Sequence, residues 1–177
     1  PVAEPSQDMV LGCYWLTKLP ASADEPRAAQ AAPAAWGKAR HFGSLAEIEM
    51  ALLHQSIELH TAIHFWYQPP REAVEPRPRW VATTAGRVLF NSILPRQVVA
   101  NHGFRNDLMR KKALSELVLQ SYREAGLADT VVFLDRLKEF GFRYATQGGI
   151  SIGVEDLEIP ADKVRLLSGV LGWELSS

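Results

Sequence analysis

The pattern that decides the fold class lies at residues 57–67, which read IELHTAIHFWY. Side chains alternate along this stretch, and one face carries Ile57, Leu59, Thr61, Ile63, Phe65 and Tyr67. A period of two residues is typical of a half-buried β-strand. We therefore predict a strand over residues 57–67, ended by the two prolines that follow it.

Helical patterns lie on both sides of this strand. Ser44 and Glu47 form a capping box before a helix with apolar residues at helical spacing. Thr83 and Thr84 precede a second helix, which Pro95 is expected to stop. Residues 8–17 are apolar around a glycine and predict a short buried helix or strand.

The C-terminal half predicts further helices. Asn106-Asp107 is expected to cap a helix that ends at Gly126, and Asp129-Thr130 another that ends at Gly141. Alternation over residues 150–154 predicts a strand, and a last helix is expected from Ala161. The fold class is therefore α+β: a single domain of short helices with small β-strands and a loop-rich N-terminal half. We place the domain at residues 1–160 and the start of a separate helix at 161–177.

Composition excludes several classes of protein. The chain has 177 residues, 47% of them hydrophobic and 22% charged, as in ordinary globular domains. A net charge of −1 argues against a nucleic-acid binder that works by bulk charge. No apolar run reaches the ~20 residues of a membrane span, so we expect no membrane association. The alanine- and proline-rich residues 18–40 predict a loop insertion.

The sequence offers no recognisable catalytic or metal site. Its one cysteine, Cys13, excludes a multi-cysteine zinc centre and is expected to be a buried, reduced thiol, which favours a cytoplasmic location. His60 and His64 would lie ~13 Å apart on one strand, too far to share a zinc ion. The glycine-rich residues 148–153 fit no phosphate-binding pattern. The acidic residues 155–162 could bind a metal, although a solvated turn is favoured.

One segment of the chain carries a concentration of basic residues. Residues 96–112 carry a net charge of +4 from five cations, which are Arg96, Arg105, Arg110, Lys111 and Lys112, against Asp107. Positive charge at a helix N-terminus opposes the helix dipole, which points to an external anionic partner. The alternative is an ordinary solvated first turn of a helix.

Several segments together resemble the largest catalytic subunit of bacterial DNA-directed RNA polymerase, the β′ subunit. Residues 5–12 resemble P-S-Q-D-x-V-L-G, and residues 83–95 resemble T-T-x-G-R-x-x-x-N-x-I-L-P. Residues 111–117 match K-K-A-L-S-x-L, and residues 141–160 match G-F-x-Y-A-T followed by a G-x-S-I and a D-x-x-I-P stretch. Residues 42–60 resemble the helix and strand between the first two motifs. The motifs occur in the family's order and cover most of the chain.

The resemblance implies a role in transcription. In that family this region forms the pore beside the active centre and leads into the funnel helices of the secondary channel, where nucleotides enter and backtracked RNA leaves. The implied partners are the rest of β′, the β, α and ω subunits, sigma factor, DNA, RNA and cleavage factors of the Gre type. The Mg²⁺-binding N-A-D-F-D-G-D loop is absent from this sequence, so the chain alone is expected to be inert and to hold no cofactor.

One residue role follows from the resemblance. Gln7 matches a family glutamine that lies near the incoming nucleotide, where its amide could hydrogen-bond a ribose or a base edge. The alternative for Gln7 is a turn-capping role. The chain begins at Pro1 without a methionine, which indicates a piece of a longer chain or methionine removal.

Two other functions stay open. The first is a free-standing protein-interaction module that shares the polymerase fold. The second is a small metal- or nucleotide-dependent enzyme, for which the sequence offers no clustered site.

Overall fold

A computed structural model describes residues 5–19 and 37–151, with side chains as far as residue 146. Within them lie five helices and three strands. Their bounds, in chain order, are α1 Gln7–Thr17, β1 Arg40–Phe42, α2 Leu45–Leu53, β2 Ala62–Tyr67, β3 Arg79–Thr84, α3 Ala85–Asn91, α4 Arg96–His102 and α5 Lys111–Ser151. The α+β class is confirmed.

The strands form one sheet in the order β1-β2-β3. β1 pairs with β2 in parallel, with His41 opposite His64, and β2 pairs with β3 in antiparallel fashion, with Trp66 opposite Trp80. One face of the sheet buries Phe42 and Ile63 against Ile48 of α2 and Val88 of α3. Successive side chains of a strand point to opposite faces of the sheet, so an alternating sequence buries one face.

The helices enclose a second apolar core. Its largest fully buried side chains include Leu16 of α1, Phe90 of α3, and Phe133 and Leu137 of α5. Leu45 and Leu52 of α2 pack against both cores and so connect them.

The helix starts follow local side-chain chemistry. Ser6, Ser44 and Thr84 each accept a hydrogen bond from the backbone N–H three residues later, at 3.3–3.4 Å. The Glu47 carboxylate in turn accepts from the backbone N–H of Gly43 at 2.9 Å. The caps predicted at Ser44 and Thr84 are therefore confirmed.

Several predicted boundaries are wrong. The strand begins at Ala62, not at residue 57, because residues 58–61 form a turn in which Thr61 N–H donates to the Glu58 carbonyl at 3.0 Å. Residues 79–84, predicted to lead into a helix, form β3, and the helix after it ends at Asn91 rather than at Pro95. β1 and α4 were not predicted.

The long helix α5 differs most from expectation. It begins at Lys111, so Asn106-Asp107 does not cap it. Gly126 breaks it, with φ +82° and ψ 179°, which confirms the predicted end there because only glycine adopts this conformation without strain. The helix then passes through Asp129-Thr130, where the Thr130 hydroxyl donates to the Gly126 carbonyl at 2.7 Å.

Gly141 lies inside α5, although it was predicted to end a helix. A Cβ on Gly141 would overlap Met9, and one on Gly12 would lie within 2.8 Å of the Gly141 backbone. The two glycines therefore let α1 and α5 cross in close contact. Residues 150 and 151 are helical rather than extended.

The chain comprises two compact units, Pro1–Thr146 and Gln147–Ser177. The first unit contains all the elements above up to Thr146, and of the second only the end of α5 is described. The predicted loop insertion falls mainly on residues 20–36, which lie outside the described residues. The acidic turn, the rest of the predicted strand and the helix from Ala161 also lie outside them.

Candidate functional site

A buried arginine is the centre of a polar network that connects α1, α3 and the segment before α5. Arg87 on α3 is 4% exposed. Its Nε donates to the Thr17 carbonyl at 2.8 Å, and its Nη1 donates to the Asn106 carbonyl at 2.5 Å. A guanidinium buried this deeply stays charged, so its hydrogen bonds to carbonyl oxygens are needed to offset the loss of water.

Asn106 and Thr17 extend the network to the sheet and to α1. The Asn106 amide donates to the Ala82 carbonyl of β3 at 2.9 Å, and the Thr83 hydroxyl donates to Asn106 Oδ1 at 2.7 Å. The backbone N–H of Met109 donates to the Thr17 hydroxyl at 2.9 Å. The segment between α4 and α5 is thereby fixed to β3 and to α1.

Asn91 at the end of α3 supports the same segment. Its amide nitrogen donates to the carbonyls of Arg87 and Arg105 at 2.8 and 2.7 Å. Its side-chain oxygen accepts from the backbone N–H of Arg105 at 2.7 Å. Three good hydrogen bonds from one amide satisfy nearly all its capacity, so Asn91 is a rigid connector.

Sequence reasoning missed this network. Asn106 was expected to cap a helix, and Arg87 received no role. The signal was present in the spacing T-T-x-G-R-x-x-x-N over residues 83–91, where the threonines, the arginine and the asparagine are the residues that make these contacts.

The predicted nucleotide-proximal residue, Gln7, is exposed and is the first residue of α1. Ser6, not Gln7, caps this helix, through a 3.4 Å bond from the Met9 N–H. The capping alternative for Gln7 therefore loses its support. Its contact with a nucleotide stays a prediction.

The predicted anionic-partner patch divides into two environments. Arg110, Lys111 and Lys112 are exposed at the start of α5. Arg105 is half-buried, and its Nη2 donates to Gln120 Oε1 at 2.5 Å. Arg105 therefore has a structural contact within the chain and is less accessible than the three exposed cations.

Arg96 of the same basic segment is paired elsewhere. Its guanidinium binds the Glu72 carboxylate through two hydrogen bonds, one of them 2.9 Å long. This contact lowers the pKa of Glu72 to about 2. The pair joins the 70–79 loop to α4.

The histidines have different neighbours from those expected. His60 precedes β2, so the 13 Å estimate based on a common strand was wrong. Its Nε2 lies 2.6 Å from the Trp15 carbonyl oxygen. His41 of β1 stacks on His64 of β2 with ring centroids 4.6 Å apart and meets Trp80 edge-on at 4.9 Å.

The described residues hold no obvious catalytic chemistry. Burial raises the pKa of the Cys13 thiol to about 12, so it is not a nucleophile near neutral pH. No group of three or more histidine, cysteine, aspartate or glutamate side chains in residues 5–19 and 37–146 could hold a metal ion. No helix in the described part of the chain is long and apolar enough to span a membrane.

Comparison with known proteins identifies the class of this α+β unit. The family model described as RNA polymerase Rpb1, domain 3, matches residues 1–157. The chain is 39% identical over 171 residues to the DNA-directed RNA polymerase subunit β′ of Aquifex aeolicus, and 37% identical over 171 residues to that of Aquifex pyrophilus. Each match covers 97% of this chain and 9% of the relative.

The chain is thus of the RNA polymerase class. In particular, the chain belongs to the family RNA polymerase Rpb1, domain 3. This confirms the resemblance to the bacterial β′ subunit that the ordered motifs indicated. The chain spans about 9% of the length of the curated relatives that it matches.

Proposed function

We propose that this chain acts as the pore region of a β′ subunit in a transcribing RNA polymerase. There it lines the secondary channel through which nucleotides enter and backtracked RNA leaves. The observation that carries this proposal is 39% identity to a β′ subunit over 97% of the chain.

The exposed apolar side chains support a place in a larger assembly. Leu127, Val131 and Val132 follow the break in α5 and are about half exposed or more, and Phe142 on the same helix is 64% exposed. On α1, Leu11 is 45% exposed. Large apolar side chains grouped on helix surfaces are typical of faces that pack against other protein. The proposed partners are the rest of β′ and the β, α, ω and sigma subunits.

The chain by itself is proposed to be inert. Mg²⁺ in polymerase supplies the charge stabilisation for nucleotidyl transfer, and the described residues offer no set of ligands that fits it. We propose that the metal is held by another part of the enzyme, the N-A-D-F-D-G-D loop of the family. The contribution of this chain is to position other elements, through the rigid network around Arg87, and to shape the channel wall.

The size of the native polypeptide tests the assignment. An antibody raised against this chain should detect, in lysate of the source cells, a band several times larger than 19.7 kDa that co-migrates with polymerase activity. A band near 20 kDa would contradict the proposal. It would favour the second candidate, a free-standing interaction module of the cytoplasm with the same fold.

The Gln7 role is tested in assembled polymerase. Because one neutral hydrogen bond contributes about 1 kcal/mol, Gln7→Ala should raise the KM for nucleotides roughly fivefold with little change in assembly. Gln97→Ala, at an exposed position of α4, is the matched control. Equal KM values for the two variants would refute the role of Gln7.

The three exposed cations are proposed to face an anionic partner in the channel, either extruded RNA or a Gre-type factor. Replacing Lys111 and Lys112 by glutamine should weaken Gre-stimulated RNA cleavage at low salt and reduce its salt dependence. Lys138→Gln, at an exposed site further along α5, controls for general loss of charge. An unchanged salt dependence would leave the patch as a solvated helix start.

A further inference from the structure

The first turn of α1 packs directly against the backbone of α5. Gly141 of α5 has no side chain, and a Cβ at this position would overlap the Cα of Met9. Met9 is 9% exposed and belongs to the helical core, as does Tyr144, which follows on α5. The two backbones thus approach each other with no side chain of residue 141 between them, so α5 determines where the first turn of α1 lies.

Gln7 lies on the opposite side of the same helical turn. It precedes Met9 by two residues, which is about 200° around the helix axis and about 3 Å along it. In agreement with this geometry, Met9 is buried and Gln7 is exposed. A displacement of Met9 away from α5 therefore moves Gln7 outward by a similar amount.

Local hydrogen bonds make this turn a rigid connection between Met9 and Gln7. The Ser6 hydroxyl accepts from the Met9 N–H at 3.4 Å, and the Ser6 carbonyl accepts from the Val10 N–H at 3.0 Å. Pro5, immediately before the cap, is buried. Because the cap holds the first N–H groups of the helix, the turn moves as a unit.

The other end of α1 is held by α3. The Arg87 guanidinium donates to the Thr17 carbonyl at 2.8 Å, and a Cβ on Gly86 would overlap the Leu16 carbonyl oxygen. Leu16 lies nine residues after Gln7, which is about 14 Å along the helix axis. The contacts with α3 therefore fix the end of α1, while the contact with α5 fixes its start.

We infer that Gly141, acting through Met9, and the Ser6 cap are positioning residues for Gln7 in nucleotide binding. This inference rests on the proposed role of Gln7. A methyl group at residue 141 would push the first turn of α1 outward by about 1 Å, because non-bonded carbon atoms pack about 3.5 Å apart. A hydrogen bond stretched by that distance is lost, so the shift should act on nucleotide binding like removal of the Gln7 amide.

The test measures the KM and kcat for nucleotides in polymerase assembled with the complete β′ subunit. Gly141→Ala should raise the KM roughly fivefold, as expected for Gln7→Ala, and leave kcat nearly unchanged. In the double variant with Gln7→Ala the KM should rise no further, because the amide that Gly141 positions is already absent. A purely structural defect would lower the amount of active enzyme or add its own factor to the KM.

Gly86→Ala is the matched control. It also places a methyl group against α1, but at Leu16, far from Gln7. It should lower stability and leave the KM for nucleotides close to that of unchanged polymerase. Equal KM increases for Gly86→Ala and Gly141→Ala would show that any disturbance of α1 has this effect, and would overturn the inference.

Ser6→Ala decides the question if Gly141→Ala does not assemble. Loss of the cap loosens the first turn without adding volume to the core, so the KM should rise at least roughly twofold. Ser6→Asn keeps a neutral capping side chain and should restore the KM of unchanged polymerase. If Ser6→Asn fails to restore it, the hydroxyl acts on the nucleotide by another route and the cap does not position Gln7.

Failure of this inference is distinguishable from failure of the proposed role of Gln7. If Gln7→Ala alone leaves the KM unchanged, that role is refuted and the positioning inference falls with it. If Gln7→Ala raises the KM but neither Gly141→Ala nor Ser6→Ala does, only the positioning inference is overturned. The same holds if the KM increases of Gly141→Ala and Gln7→Ala multiply in the double variant.

Discussion

Arg87 shows how a single residue connects separate parts of this fold. Its guanidinium donates to carbonyls of α1 and of the segment before α5, which are 70 and 19 residues away in the chain. Thr17 is fully buried and Asn106 is partly buried. If the guanidinium is removed, those acceptors have no partner, and the cost is that of unsatisfied buried groups.

We therefore predict that Arg87→Met lowers the free energy of unfolding by about 3 kcal/mol. Methionine keeps much of the side-chain volume of arginine, so the lost stability comes from the missing hydrogen bonds rather than from a cavity. Urea unfolding followed by circular dichroism measures it. Arg123→Met, at an exposed site of α5, should cost less than about 0.5 kcal/mol, and equal losses for the two variants would contradict this account.

Cys13 gives a second prediction at the level of one residue. Its pKa is raised from 9.0 to about 12 by burial, so at pH 8 only about one thiol in ten thousand is ionised in the folded chain. We expect reaction with a disulfide reagent at pH 8 to be limited by unfolding. Labelling at the rate of a short cysteine peptide would disprove this burial.

The same shift has a pH consequence with a definite sign. A thiol whose pKa is higher in the folded chain than in the unfolded chain stabilises the fold fully below pH 9, and this contribution is lost as the pH rises towards 12. Stability measured across that range should fall more steeply for the unchanged chain than for Cys13→Ala. If stability falls equally with pH in both proteins, Cys13 does not contribute to the pH dependence.

At the scale of elements, the crossing of α1 and α5 depends on two glycines. A methyl group on Gly12 would meet the backbone of Gly141, and backbone cannot move aside as a side chain can. Gly12→Ala gains about 1 kcal/mol of helix propensity and loses more through overpacking, so we expect a net loss of about 2 kcal/mol.

The control for that variant is Gly43→Ala. There the added Cβ would lie 3.4 Å from the Glu47 carboxylate, an ordinary contact at an exposed site. Its cost should be within about 0.5 kcal/mol. Thermal or urea unfolding measures the stability of both variants. If Gly12→Ala leaves the free energy of unfolding unchanged, α1 and α5 move apart at little cost to make room for the methyl group.

Local chemistry made some elements predictable from sequence. The caps at Ser44 and Thr84 and the break at Gly126 depend on residues within three or four positions, and they were confirmed. The strand start was missed because residues 58–61 have the alternation of a strand but form a turn, while His60 packs on Trp15 45 residues away. Gly141 has the sequence signature of a helix end, yet its role depends on contact with α1.

For the same reason, the network around Arg87 could not be predicted from the periodicity of the sequence. The residues that it joins are far apart in the chain, and their partners are mostly backbone carbonyls. Only the resemblance of residues 83–91 to a family motif marked them. The family could thus be inferred before the structure, but the role of Arg87 within it could not.

At the scale of the whole molecule, the two cores of the first unit should unfold together. Leu45 and Leu52 contact both cores, and α3 supplies buried residues to each. We predict a single urea transition, with coincident midpoints by tryptophan fluorescence and by far-ultraviolet circular dichroism. Separate midpoints would show that the sheet core and the helical core are independent.

The hydrogen bond from Asn106 to the Ala82 carbonyl has a consequence for solubility. β3 is an outer strand of the sheet, and unpaired backbone groups on outer strands attract strands of other molecules. The amide of Asn106 occupies one of the positions that such a strand would need. A strand of another molecule therefore meets one carbonyl of β3 that already has a partner within the chain.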